Sequence, residues 1–134
     1  MKNAKVLIVG IGGLGSPISI YLTAAGVGQI GLIDDDIVSK SNLQRQILYT
    51  ETEIGQSKVE CACRRLSALN SSTRFETYPN RFTSDNADRL VSAYDIIIDG
   101  CDNAATRYLI DDVCSRFKKP YVYGSISEFR GQFS

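Results

Sequence analysis

Apolar residues come in short blocks along this chain, separated by polar or glycine-bearing stretches. "AKVLIVG" (4–10) is a continuous apolar run ending in glycine, the pattern of a strand covered on both faces. "LGSPISIYLTAAG" (14–26) has helical length, and Pro17 is tolerated because it falls in the first turn. "QIGLID" (29–34) predicts a second strand. Ser57 and Glu60 have the spacing of a capping box ahead of "VECACRRLSALN", which predicts a helix over 57–69. "RFETYP" (74–79) alternates like a strand, "SDNADRLVSAY" (84–94) reads as a short helix, and "YDIIIDG" (94–100) reads as a buried strand. "NAATRYLIDDVCSRFKK" (103–119) is amphipathic, ends in basic residues and is stopped by Pro120, after which "YVYGSI" (121–126) predicts a further strand.

This alternation predicts an α/β fold: a Rossmann-like, doubly wound, mostly parallel sheet with right-handed crossovers and helices on both faces. Neither a repeat nor a low-complexity linker divides the chain, so residues 1–134 read as one domain. The closing "EFRGQFS" resembles the beginning of another strand, and the first strand starts within a few residues of Met1. The expectation is a fragment of a longer protein.

Charge narrows the partners. Fifteen basic and fifteen acidic residues cancel, and the chain has no His. Nucleic acid or an anionic membrane would call for a surplus of Lys and Arg, so neither is expected as a partner. The apolar runs are strand-length and leave no membrane span or signal peptide, which makes the cytoplasm the expected location. Cys61, Cys63, Cys101 and Cys114 contain no C-x-x-C pair, so they are expected as reduced thiols and no zinc site is expected in this chain.

The first strand leads into Gly10-Ile11-Gly12-Gly13-Leu14-Gly15. Gly10, Gly12, Gly13 and Gly15 permit a tight turn in which backbone N–H groups approach a phosphate, and the following helix N-terminus adds its positive dipole end. Asp34 closes the second strand 24 positions after Gly10, close to where an acid that grips ribose hydroxyls is expected. Its charge disfavours NADP, leaving NAD and ATP. A glycine turn that only tightens packing is the plainer alternative.

Cations separate those two nucleotides. A triphosphate carries about four negative charges and calls for basic groups and a divalent metal. Arg45 in "SNLQRQ" and Lys58 in "GQSKVE" both follow the second strand, on the side of the sheet where ligands bind. Lys58 stands in the first turn of its helix, where a cation opposes the helix dipole, and this suggests a task. Asp99 and Asp102 bracket the end of the fourth strand beside the same crevice, and a carboxylate there can hold Mg²⁺. The plainer reading makes Asp102 a helix N-cap and gives Asp99 backbone amides to satisfy. Asp35 and Asp36 are assigned only turn and surface.

"GIGGLG", "LIDDD", "SNLQRQ", "GQSK" and "DGCDNAATR", in this order and at these spacings, resemble the ThiF/MoeB/HesA family of ubiquitin-activating-enzyme-like adenylyltransferases. The likeness extends from Lys5 to Gln132, and the three acids, "NRFT" at 80–83 and "DNAATR" look closer to ThiF, the thiamine-pathway member, than to MoeB. The resemblance implies an enzyme that uses ATP and Mg²⁺ to turn the C-terminal glycine carboxylate of a small ubiquitin-like sulfur carrier into an acyl-adenylate. It implies that Gly13 lies against the nucleotide and Asp34 holds the ribose. Asn42, Arg45 and Lys58 would meet the phosphates, Asp102 would bind Mg²⁺, Asn103 would line the pocket and Gln44 would support the loop. The catalytic set is thus Arg45, Lys58 and Asp102. Family members are homodimers; their N-terminal arm would precede Met1, and any zinc-binding cysteines would follow Ser134. The alternatives are MoeB-type activation of the molybdopterin sulfur carrier, an NAD-dependent oxidoreductase domain, a non-catalytic nucleotide-binding module and a tRNA-modifying dehydratase.

Overall fold

Four helices and a five-stranded parallel sheet make up the described part of the computed structural model, which covers residues 3–12, 15–39, 50–101 and 103–123. The strands are β1 (Lys5–Val9), β2 (Gln29–Ile33), β3 (Arg74–Tyr78), β4 (Ile96–Asp99) and β5 (Tyr121–Tyr123). The helices are α1 (Gly15–Ala24), α2 (Lys58–Leu69), α3 (Ala87–Ala93) and α4 (Ala104–Phe117). Each element expected on described residues is present with shorter ends; residues 124–134, including "EFRGQFS", lie outside the described residues.

The strand order is β3-β2-β1-β4-β5, and all four pairings are parallel. The central strand accounts for the core. Val6 and Ile8 pack with Val59, Ala62 and Leu66 of α2 and with the inner edge of α1. Leu7 and Val9 point the other way, onto Leu90 and Val91 of α3 and Ile110 and Val113 of α4. A strand buried on both faces has no polar face to alternate, which is why "VLIV" reads as an unbroken apolar run.

Two local details differ from the sequence reading. Ser57 does cap α2 by position, but its side chain makes no capping bond and its Oγ is buried without a partner. Glu60 accepts from the Thr77 hydroxyl at 2.9 Å, so the expected capping box does not form. At α4, Asn103 is the N-cap, accepting from the Thr106 N–H at 3.1 Å, in place of Asp102, which lies outside the described residues.

Gly31 gives the sheet a tightly packed layer. The Tyr94 ring is 1% exposed and lies across β2, where a Cβ on Gly31 would stand 2.4 Å from its hydroxyl oxygen. That hydroxyl shares a 2.9 Å hydrogen bond with Tyr78, and burial pushes its pKa well above the ordinary value. Gly31→Ala is expected to lower unfolding stability by about 1–3 kcal/mol, since an added methyl must displace a ring with nowhere to go. Urea denaturation reads this; an unchanged midpoint would show that the ring has room to move.

Candidate nucleotide site

The strand order reverses between β1 and β4, and open parallel sheets bind ligands in the crevice beyond such a point. β1 and β4 end in register, Val9 opposite Asp99, and each is followed by a glycine. Gly10 has φ +94°, a conformation that side chains disfavour. A Cβ on Gly15 would lie 1.9 Å from the Gly10 carbonyl oxygen, and one on Gly100 would lie 2.7 Å from the same atom. Three backbone segments therefore meet where any side chain would hold them apart. This brings the start of α1 directly over the strand ends, and the Ser16 N–H donates to the Gly12 carbonyl at 3.0 Å to begin the helix. Gly13 lies outside the described residues.

Asp34 fastens this turn to the next one. One carboxylate oxygen accepts the Ile11 N–H at 2.7 Å, and the other accepts the Asp36 N–H at 2.8 Å. A carboxylate has about four acceptor positions, so two bonds leave capacity for a ligand's hydroxyls. The cleft beside it has a volume of about 210 Å³ and is lined by Gly10, Asp34, Asp36, Arg81 and Asn103 among others. Asn103, expected to line the pocket, stands on the same cleft as Asp34.

The three consecutive acids are arranged by their partners. Carboxylate oxygens of Asp34, Asp35 and Asp36 come within 4.8 Å of one another, close enough to converge on one cation. Asp34 is held by amides, Asp35 lies 3.5 Å from the Arg81 guanidinium, and Asp36 lies 3.6 Å from the Lys58 ammonium. Asp35 and Asp36 are both exposed, as their assignment to turn and surface expects, and each also stands within ion-pair distance of a cation. Lys58 is only 4% exposed, so it is not a solvated surface lysine. Its own N–H donates to the Asp36 carbonyl at 3.1 Å, and Val38 and Gln56 continue this antiparallel contact at 2.8 Å. The contact sets the start of α2 against the segment leaving β2, and this places the buried ammonium behind the acidic rim.

Across the crevice, Asp99 is fully buried at the end of β4. Its Oδ1 accepts the Cys101 N–H at 3.1 Å and the thiol at 2.7 Å, while its Oδ2 accepts from Arg107 Nε at 3.1 Å. The carboxylate braces the β4–α4 turn from beneath. Asn42, Gln44, Arg45 and Asp102 lie outside the described residues; of the rest of the expected set, Gly10, Asp34 and Asn103 line the cleft, Gly12 and Gly15 belong to the adjoining turn, and Lys58 meets the cleft through Asp36. Sequence reasoning missed Gly100 and Arg81. A glycine directly after a buried strand, as in "DGCDN", signalled the first; "NRFT" contained the second but suggested only family likeness.

The ThiF family model matches residues 1–134. The chain belongs to the ThiF family. Among curated relatives it is 48% identical to the sulfur carrier protein adenylyltransferase of Thermus thermophilus, over 98% of this chain and 49% of that protein. It is 47% identical to a probable molybdopterin-synthase adenylyltransferase of Porphyra purpurea, over 100% of this chain and 35% of that protein. The chain thus spans about a third to a half of the relatives it matches. Among solved structures, the tRNA N6-threonylcarbamoyladenosine dehydratase TcdA of E. coli, in complex with ATP, superposes with a TM-score of 0.87. It is 32% identical over 91% of this chain and 51% of that one. E. coli MccB with ATP gives a TM-score of 0.84 at 32% identity, over 91% of this chain and 37% of that one.

In this ThiF-family chain all four cysteines are free. Burial and the adjoining Asp99 carboxylate push the Cys101 thiol up to about 12, and burial pushes Cys114 up to about 11. Both are protonated at neutral pH, and a protonated thiol is a poor nucleophile. No helix among the described residues is long and apolar enough to cross a membrane.

Proposed function

We propose that the full-length protein is an ATP-dependent adenylyltransferase that activates the C-terminal glycine carboxylate of a small ubiquitin-like sulfur carrier. The observation that carries this reading is the pairing of a glycine-only crossing beneath Asp34 with a buried lysine at the next helix start. A dinucleotide's pyrophosphate is served by the glycine turn and helix dipole alone. A buried ammonium beside the same corner suits the greater charge of a triphosphate. Relatives named for sulfur-carrier adenylylation support the substrate class.

The carrier carboxylate is itself the nucleophile. It attacks the α-phosphorus, a new C–O–P linkage forms, and the bond to the β-phosphate oxygen breaks to release pyrophosphate. No covalent enzyme residue is needed, so the protein contributes alignment and electrostatic stabilisation. Asp34 orients the ribose hydroxyls, and the Gly10–Gly15 turn brings backbone N–H groups to the phosphates. Lys58 and Arg45 balance the charge that builds up on the α-phosphate, with Asn42 beside them and Gln44 supporting their loop. Asp102 is assigned to Mg²⁺, which when bound would supply positive charge to offset that of the phosphates. Asn103 closes the pocket.

The pathway reading is thiamine biosynthesis with a ThiS-like carrier, on the strength of the three acids and "NRFT". A molybdopterin carrier is the second reading, favoured by the name of the Porphyra relative. The working protein is taken as a cytoplasmic homodimer; four free thiols suit a reducing compartment. The decisive test is ATP–pyrophosphate exchange by the full-length protein with each carrier. Exchange with one carrier and not the other is expected. NAD binding without exchange on any carrier would overturn the assignment.

A further inference from the structure

Between Thr50 and Ser57 the chain runs over the surface, and Glu53 alone is buried, 9% exposed. Its apolar neighbour Ile54 faces outward, 45% exposed. A carboxylate turned inward beside an isoleucine turned outward reverses the ordinary preference for burial. Donors surround the acid. Its Oε1 accepts from the Thr50 N–H at 2.9 Å and the Thr50 hydroxyl at 3.2 Å, and lies 3.6 Å from the Arg65 guanidinium. Its Oε2 accepts from Arg64 at 3.5 Å. Burial raises its pKa, but the Thr50 bonds, the Cys61 thiol and the Arg65 charge outweigh this and leave it below the ordinary value. Glu53 is an anion at neutral pH.

These donors come from two places. Thr50 begins a single 3₁₀ turn, Glu51–Glu53, whereas Arg64 and Arg65 belong to α2. Between them Ile54, Gly55 and Gln56 are exposed, and Gly55 turns the chain with φ +92° in open space, which does nothing to stiffen it. Main-chain bonds tie this turn to the segment after β2, from the Gly55 N–H to the Val38 carbonyl at 2.8 Å and from the Lys58 N–H to the Asp36 carbonyl at 3.1 Å. Glu53 ties it to α2. We propose that Glu53 is a positioning residue for Lys58: its carboxylate clamps the turn to the helix, so that the first residue of α2 presents its ammonium at one place behind the acidic rim. This rests on the phosphate role that the adenylyltransferase reading gives Lys58. A flexible amine delivers charge to a defined point only where the structure that carries it is held. Thr50 also stands five positions after Arg45 in the sequence, so the same oxygen anchors the chain between one expected phosphate contact and the other.

Isothermal titration of the full-length protein with ATP and with adenosine tests this, using Glu53→Ala, Glu53→Gln, Lys58→Met and the double variant of Glu53→Ala with Lys58→Met. Glu53→Ala is expected to weaken ATP binding about tenfold, within the range for coupled neighbours, and to leave adenosine unchanged. Glu53→Gln keeps the oxygen that Thr50 and Arg65 share, and is expected to bind ATP as wild type does. The double variant should bind ATP no more weakly than Lys58→Met alone, because the residue being positioned is gone. A loss shared by adenosine, or a double variant in which the two losses multiply, would overturn the proposal and leave Glu53 a cap of its own turn. Lys58→Met without effect on ATP overturns it too, whereas the adenylyltransferase reading stands or falls on ATP–pyrophosphate exchange. Should Glu53→Ala fail to fold, Arg65→Met decides, since that side chain is 44% exposed. A loss of about threefold for ATP alone is then expected, and no loss overturns the proposal.

Discussion

Gly15→Ala should abolish nucleotide binding and cost more stability than a typical overpacked core substitution, which loses about 1–3 kcal/mol. The new methyl would stand 1.9 Å from the Gly10 carbonyl oxygen, and the obstacle is backbone, which cannot swing aside as a side chain can. Relief requires either α1 to lift from β1 or the Gly10 turn to open. Lifting α1 exposes Val6 and Ile8, and opening the turn breaks the Ile11 N–H bond to Asp34. Both routes dismantle the corner where the phosphates would rest. Equilibrium dialysis with ATP and a urea titration of the same sample measure the two effects together. Retained ATP affinity alongside lost stability would show that the crossing serves folding only. Gly100→Ala should behave alike but more mildly, with 2.7 Å to the same oxygen.

The part of this arrangement legible in the sequence is the part governed by short-range pattern. β1 reads as a buried strand because both of its faces are covered, and the glycines of the first turn stand together within six positions. The strand order and the role of Gly100 depend on β4 crossing back beside β1, a contact between residues ninety positions apart, and no local spacing announces it. The same limit applies to the acids. Asp35 and Asp36 are surface residues as read, but their cations, Arg81 and Lys58, arrive from distant parts of the sequence, so the ion pairs could not be read from it. The Ser57–Glu60 spacing is a true local signal that tertiary structure overrode: Glu60 bonds to Thr77 on β3, and the capping partner is lost.

Lys58→Met should weaken ATP binding by roughly 1–3 kcal/mol, about fivefold to 150-fold, while leaving adenosine affinity unchanged. Methionine keeps the apolar stem of a side chain that is 4% exposed and removes only the ammonium, so the start of α2 keeps its packing. The fold should tolerate the change because Asp36, the residue left unpaired, has a side chain 67% exposed to water, and an exposed carboxylate needs no counter-ion. The lysine is the costly member of that pair: it is desolvated and stands at a helix N-terminus, where a cation is disfavoured. Stability alone gives little reason for a lysine here, and a triphosphate gives a strong one. With ATP bound, the ammonium would exchange the exposed carboxylate at 3.6 Å for phosphate oxygens, a short movement for a flexible side chain. Isothermal titration with ATP, AMP and adenosine separates the possibilities. A loss that grows with the number of phosphates places Lys58 on the phosphate chain. An equal loss for all three ligands would reassign it to holding α2 in place, and the case for a triphosphate over a dinucleotide would then rest on Arg45 alone.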